Sequence, residues 1–270
     1  MLNTAATSNL TIPFYKYQGA GNDFILIDNR QKIYDELSVK LIAKLCDRRF
    51  GIGADGLMML QLHPEYDFEM LYFNADGHPG SMCGNGGRCI VAFAKNLGII
   101  DLKTEFLAVD GPHFARISAA GNQVDLQMID VTSVEKDGNA FVLNTGSPHY
   151  VQQVTDLEIM DVYQEGKLIR NNQTYKKQGI NVNFIEDKGD YLFVRTFERG
   201  VEDETFACGT GVTAVALSMA LDKGQSGQLS TPIKVLGGDL RIDFNYDGFK
   251  FSNIFLCGPA ELVFTGEITI

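Results

Sequence analysis

The chain has 270 residues, 45% hydrophobic and 21% charged, which suits a globular protein with one large core or two smaller ones. Its net charge of −11, with no Lys/Arg cluster, excludes the basic surface a nucleic-acid partner needs, and no apolar run approaches the roughly 18 residues of a membrane helix. The opening "MLNTAATSNLTIPF" lacks the basic and apolar regions of a secretory leader, and the five cysteines form no CxxC pair, so they read as reduced thiols in a cytoplasm.

In chain order, Phe14 to Asp28 reads as strand, glycine turn, strand. "DELSVKLIAKLCDRRFG" carries apolar residues at Leu37, Leu41, Ile42 and Leu45, which predicts a helix stopped by Gly51. "DGLMMLQL" and "YDFEMLYFNADG" follow as strands ending in a turn at Asp76-Gly77. Next comes "SMCGNGGRCIVAFAKNLG", a Cys-Gly-x-Gly opening an apolar helix, and then three strand-like runs, "EFLAVDG", "HFARISAAG" and "QVDLQMID".

The second half repeats this order. "FVLNTGSPHYVQQV" gives strand, turn, strand, and "GINVNFIEDKGDYLFVRTFERG" a hairpin across Lys188-Gly189-Asp190. "ACGTGVTAVALSMAL" is the second Cys-Gly-x-Gly with its helix, 208 − 83 = 125 residues after the first. The expected fold is therefore α+β, with two pseudo-symmetric domains, each a mixed or antiparallel sheet wrapped around a central apolar helix. The site would lie in the cleft between them. The expected domains are 12–129 and 130–261, with the boundary near Ile129 to Lys136.

A helix start leaves backbone N–H groups unpaired and carries roughly half a positive charge. Glycines let an anion approach those groups. A cysteine placed there should have its thiolate favoured. The plain alternative is that Cys83 and Cys208 are small buried residues, as free cysteines often are. Two matching sites favour chemistry instead: one thiol takes a proton from carbon and the other returns one to the opposite face, which inverts a stereocentre without a cofactor. Cys89 falls on another face of its helix and reads as core. Zinc lacks a ligand set around Cys83, Cys89 and His78, and a phosphate loop lacks its Gly-Lys-Ser/Thr.

The blocks "GAGNDF", "DRRFGIGADGL", "FNADG", "MCGNGGRC", "TGSPH", "GINVNF", "ERG" and "ACGTG", in this order from Phe14 on, resemble the diaminopimelate epimerase family of PLP-independent amino-acid epimerases. The resemblance implies that the last strand, about 262–270, completes the first domain, and it implies Cys83 and Cys208 as the acid–base thiols. It implies that Gly84, Asn85, Gly209 and Thr210 receive the carboxylate at the reacting centre. Asn22, Asn74, Asn181, Glu198 and Arg199 would hold the rest of a small amino-acid substrate, and His149 would lie beside the cysteines. No cofactor, metal, nucleic acid or membrane partner is implied, and a homodimer is the candidate assembly. The chain departs from the family at Ser147, where Asn is frequent, at Gly56, where some members carry Gln, in the segment His78 to Met82, and in "GVEDET", a residue longer than in some members.

Overall fold

A computed structural model describes residues 10–270, so most of the opening segment read for a leader, residues 1–9, lies outside the described residues. The first half runs β1 (Thr11–Gly19), β2 (Asn22–Asp28), α1 (Val39–Cys46), β3 (Gly56–Gln61), β4 (Phe68–Asn74), α2 (Gly84–Asn96), β5 (Lys103–Ala108), β6 (Gly111–Ile117) and β7 (Gln123–Gln127). The second runs β8 (Val134–Asp137), β9 (Ala140–Asn144), β10 (Pro148–Gln153), α3 (Val162–Arg170), β11 (Asn181–Asp187), β12 (Leu192–Glu198), β13 (Asp203–Thr205), α4 (Gly209–Asp222), β14 (Gly227–Val235), β15 (Gly238–Tyr246), β16 (Phe251–Pro259) and β17 (Glu261–Thr269).

The two halves share one pairing plan. β1 and β2 pair antiparallel, as do β9 and β10. Each second strand then crosses through a helix to a parallel neighbour, β2 to β3 through α1 and β10 to β11 through α3. An antiparallel hairpin follows in each, β3 with β4 and β11 with β12. A second crossover through α2 or α4 reaches β5 or β14, again parallel. The last strand of each plan joins the halves, because β7 pairs with β16. β17 pairs with β1 in the place that β8 takes against β9.

Helices on both sides of the central strands explain their composition. Phe24 to Ile27 are all buried, with Phe24 and Leu26 facing the α2 core and Ile25 and Ile27 facing α1. Met58 and Leu60 likewise face α2, while Leu57 and Met59 face α1. A strand covered on both faces reads as a continuous apolar run, as "FILI" and "LMML" do. α4 is buried all round, from Gly211 to Ala220, at the centre of the second core.

Two elements differ from the sequence reading. α1 ends at Cys46 instead of running on to Gly51. The Asp47 carboxylate accepts from the N–H groups of Arg49 and Phe50 at 2.7 Å each, and this local bonding competes with the next helical turn. α3 was not expected, because Gly166 interrupts its pattern. That glycine is required: an ideal Cβ there would lie 2.3 Å from the Phe197 Cβ. Asp161 marks the helix start, its side chain accepting from the Gln164 N–H at 3.1 Å. Among the described residues, no helix is long and apolar enough to cross a membrane.

Candidate functional site

α2 and α4 begin alike. Cys83 has φ −116° and ψ 127°, Cys208 has φ −117° and ψ 109°, and each starts the helix from extended backbone. The two starts meet. An ideal Cβ on Gly84 would lie 3.6 Å from the Gly209 Cα, and one on Gly209 would lie 3.4 Å from the Gly84 Cα. Both would lie 2.8 Å from the same Leu256 Cδ2. The two helix starts therefore abut, and the side chain that a Cβ at either glycine would crowd is Leu256, packed over both; the first-turn N–H groups of the two helices lie at this junction.

The thiols behave differently from the sequence expectation, which was a lowered pKa. Burial pushes both up. For Cys83 the N–H groups of Gly86 and Asn85 and the charge of Arg88 oppose it, while Glu198 adds to the rise. For Cys208 the Glu198 carboxylate and Cys83 itself add to the rise, and the Thr210 hydroxyl and Gly211 N–H oppose it. The Thr210 Oγ1 lies 3.6 Å from the Cys208 Sγ. The correction has a physical cause: removing an anion from water costs more than a helix dipole returns.

Asn85 ties the halves together. Its amide nitrogen donates to the Asn22 Oδ1 and, at 3.1 Å, to the Ala207 carbonyl, the residue before Cys208. Asn22 in turn donates to Asp55 at 3.0 Å. Asp55 belongs to an ion cluster that the sequence reading missed: Arg48 bridges Asp55 at 2.7 Å and Asp23 at 2.6 Å, and Lys16 pairs with Asp23 at 2.6 Å. Burial raises Asp23, but Arg48 and Lys16 outweigh it and hold the carboxyl at about 2. The signal was present in "DRRFGIGADGL", whose first part was read as a helix end and whose last part as the start of a strand.

The second half supplies a polar wall. Asn181 accepts from the Arg199 N–H at 2.8 Å and donates to the Ser147 Oγ at 2.9 Å. Arg199 Nη2 also donates to Ser147, at 3.1 Å. Ser147 thus accepts twice, which leaves its own hydroxyl proton free to donate. Glu198 accepts from the Thr205 Oγ1 at 3.0 Å, and burial raises its pKa. Asn74 pairs in register with Gly56 at the end of β4 and is exposed. The space beside Gly56 is filled by Tyr72, whose hydroxyl would lie 2.8 Å from an ideal Cβ there.

His149 is fully buried, its ring Nδ1 facing the Asn183 amide nitrogen at 3.1 Å. Asn183 accepts from Thr196 through its oxygen and donates to the Tyr150 carbonyl through its nitrogen, which fixes the amide orientation. The Nδ1 must then accept, so the assigned tautomer carries its proton on Nε2, an atom with no partner among the described residues. Burial, aided by Arg199, lowers the His149 pKa to about 3.

The structure thus gathers Cys83, Cys208, Gly84, Gly209, Asn85, Asn22 and Thr210 at one junction, with Glu198 near both thiols and the Asn181–Arg199–Ser147 group on one side, while Asn74 is exposed at the end of β4 without a contact to the junction among the described residues. The sequence model of diaminopimelate epimerase matches residues 14–132 and 141–263. The chain belongs to the diaminopimelate epimerase family. It is 51% identical over 257 residues to a protein of Flavobacterium psychrophilum named diaminopimelate epimerase, covering 95% of this chain and 99% of that one. A protein of the same name from Chlorobaculum tepidum is 44% identical, covering 93% and 99%. The fold extends beyond the epimerase family. A Bacillus anthracis phenazine biosynthesis protein of the PhzF family superposes with TM-score 0.78 at 13% identity, covering 97% of this chain and 100% of that one. A hydroxyproline epimerase from Agrobacterium vitis superposes with TM-score 0.67 at 12% identity, covering 96% and 93%. At these identities the likeness concerns architecture alone.

Proposed function

We propose that the chain interconverts LL- and meso-2,6-diaminopimelate with Cys83 and Cys208 as paired acid and base, without PLP or a metal. The observation that carries this reading is the abutment of Gly84 and Gly209, which brings two cysteine-led helix starts to one point. One thiolate takes the α-proton, and the pair of electrons left on the carbon is drawn toward the α-carboxylate. N–H groups of both helix starts stabilise that charge. The other thiol gives its proton to the opposite face, and the sulfur that accepted the first proton is now the acid. Burial raises both thiols, and Cys83 adds to the rise at Cys208, so the pair resists a second negative charge; the base is the one thiolate that forms, and the other thiol keeps the proton it delivers.

Glu198 and Asn181 suit the distal ammonium, and Arg199 and the free Ser147 proton suit the distal carboxylate. The domains are 12–129, completed by about 262–270, and 130–261. Free cysteines throughout fit a cytoplasmic protein. Its place is in lysine and peptidoglycan precursor synthesis. The exposed Leu262, Val263 and Phe264 on β17 support a homodimer. The test is incubation of purified protein with LL-diaminopimelate in heavy water, without added PLP or metal. Formation of the meso isomer with deuterium at the α-carbon is the expected result. Turnover of proline or hydroxyproline with none of diaminopimelate would assign a different substrate to the same site.

A further inference from the structure

Asp55 uses its two carboxylate oxygens on different tasks. Oδ1 accepts from Arg48 at 2.7 Å, and Oδ2 accepts from the Asn22 amide at 3.0 Å and from the Asp23 N–H at 3.2 Å. The Arg48 side chain is 58% exposed, so its ion pair with Asp55 adds little to stability. The contact with Asn22 leads the other way, into the junction. Asn22 Oδ1 accepts from the Asn85 amide, whose second hydrogen goes to the Ala207 carbonyl at 3.1 Å, and Asn85 Oδ1 accepts from Arg88 Nη2 at 3.0 Å.

Both amides in this row are oriented by a group with a single role. A carboxylate can only accept and a guanidinium can only donate. Asp55 at one end therefore draws the Asn22 nitrogen to itself and leaves the oxygen for Asn85. Arg88 at the other end takes the Asn85 oxygen and leaves the nitrogen for Asn22 and Ala207. A flipped Asn22 would set nitrogen against nitrogen, and Asn85, which is buried, would lose a partner.

The internal repeat supplies a comparison. The parallel strands start their register with Phe24 beside Gly56 in the first half and with His149 beside Asn181 in the second. On that match Asn22 corresponds to Ser147, and Asp55 to the buried Ile180. Ser147 is held by two donors, Asn181 and Arg199, where Asn22 is held by an acceptor. The shared strand plan therefore does not require a carboxylate at this position. It stands only in the half whose Asn85 reaches across to the residue before Cys208.

We propose that Asp55 is a positioning residue of the reaction: by holding the Asn22 amide it keeps Asn85 bonded across to Ala207, and so fixes the start of α2 against the residue that precedes Cys208. The inference rests on the two-thiol reading above. Asn cannot replace Asp55 in this role. Donors meet Asp55 at both oxygens, Arg48 at one and Asn22 at the other, and an amide has a single oxygen to offer them. Whichever way that amide turns, one N–H group faces another.

The test is a double-mutant cycle on kcat/KM for diaminopimelate with Asp55→Ala, Asn22→Ala and the double variant. Asp55→Asn and Asp23→Asn are measured beside them, and circular dichroism follows folding. Asp55→Ala and Asp55→Asn should each lower kcat/KM about tenfold or more. The double variant should lose no more than Asn22→Ala does, because Asp55 has nothing left to hold. Asp23→Asn breaks the same ion cluster, at both Lys16 and Arg48, without removing a partner of the Asn22 side chain. It should melt at a lower temperature and keep its kcat/KM. Losses that multiply in the double variant overturn the proposal, as does an unchanged kcat/KM in folded Asp55→Ala or Asp55→Asn, or an equal loss in Asp23→Asn. Should Asp55→Ala not fold, Asp55→Asn, of the same size, takes its place in the cycle. A protein that epimerises no diaminopimelate overturns the two-thiol reading and this assignment together, whereas multiplying losses in an active protein overturn this assignment alone.

Discussion

Gly84 and Gly209, 125 residues apart in sequence, touch backbone to backbone under the side chain of Leu256. The contact sets the separation of the two helix starts, and hence of the thiols that precede them. Replacing either glycine by Ala puts a methyl group 2.8 Å from the Leu256 Cδ2. The expected cost is about 1–3 kcal/mol of stability. Activity should fall as well, because Leu256 must shift beneath the junction, while the new methyl meets the facing helix start at ordinary contact distance. Thermal melting and steady-state kinetics of Gly84→Ala and Gly209→Ala check this, with Leu256→Val as the second change that restores part of the loss. Wild-type kinetics in both single variants would show that the spacing is not held there.

Loss of either paired thiol should be severe and loss of the others mild. Cys83→Ala and Cys208→Ala each lack a proton carrier on one face, and turnover should fall by roughly 10²–10⁴. Cys89→Ala removes a sulfur that packs 3.2 Å from an ideal Cβ on Gly19, so a modest drop in melting temperature with retained kcat is expected. Epimerisation assays on the three variants, run with melting curves, separate the roles. Comparable activity in all three would count against the pair.

The Ser147–Arg199 contact gives a third expectation. Arg199→Lys loses the fork that reaches both Ser147 and the Gln178 carbonyl, so KM for diaminopimelate should rise at least tenfold. Ser147→Ala should raise KM less, since Arg199 keeps its second bond. If remote binding energy positions the α-carbon, kcat falls as well in Arg199→Lys. Initial-rate measurements over a range of substrate concentration decide it, and unchanged constants would remove Arg199 from the site.

His149 makes a prediction about pH. Its pKa is about 3 in the folded chain and 6.5 unfolded, so the unfolded state binds the extra proton between these values. The lowered value belongs to a base buried in its neutral form. Its contribution to stability is therefore intact above pH 6.5 and is lost progressively as pH falls toward 3, at up to about 1.4 kcal/mol per pH unit. His149→Gln should show a shallower fall in melting temperature over that range than the unaltered chain. Parallel curves for the two would mean that His149 is not buried neutral.

The sequence carried the repeat because each half spells out its own cysteine, glycines and apolar helix. It carried the doubly covered strands too, since "FILI" and "LMML" admit no exposed face. What it did not carry has particular causes. α3 was masked by Gly166, a residue demanded by Phe197 and not by the helix. The upward shift of both thiols depends on burial, which local spacing does not report. The Asn85 bridge reaches a carbonyl 122 residues away, which no local spacing reports.

The pairing of β17 with β1 has a consequence for how the molecule is made. A ribosome releases β1 long before its partner β17, so the first half waits with an open sheet edge while the whole second half emerges, whereas β9 finds β8 across a tight turn at once. The nascent chain is thus sticky on one side for most of its translation, and a chaperone has a defined target in that edge. Leu10 and Ile270 lie side by side, exchanging hydrogen bonds at 3.1 and 2.9 Å. Joining them and opening the chain at Gly138–Asn139, in the open turn between β8 and β9, would exchange the two roles: the second half would then wait for its last strand, and the first would close as it emerged.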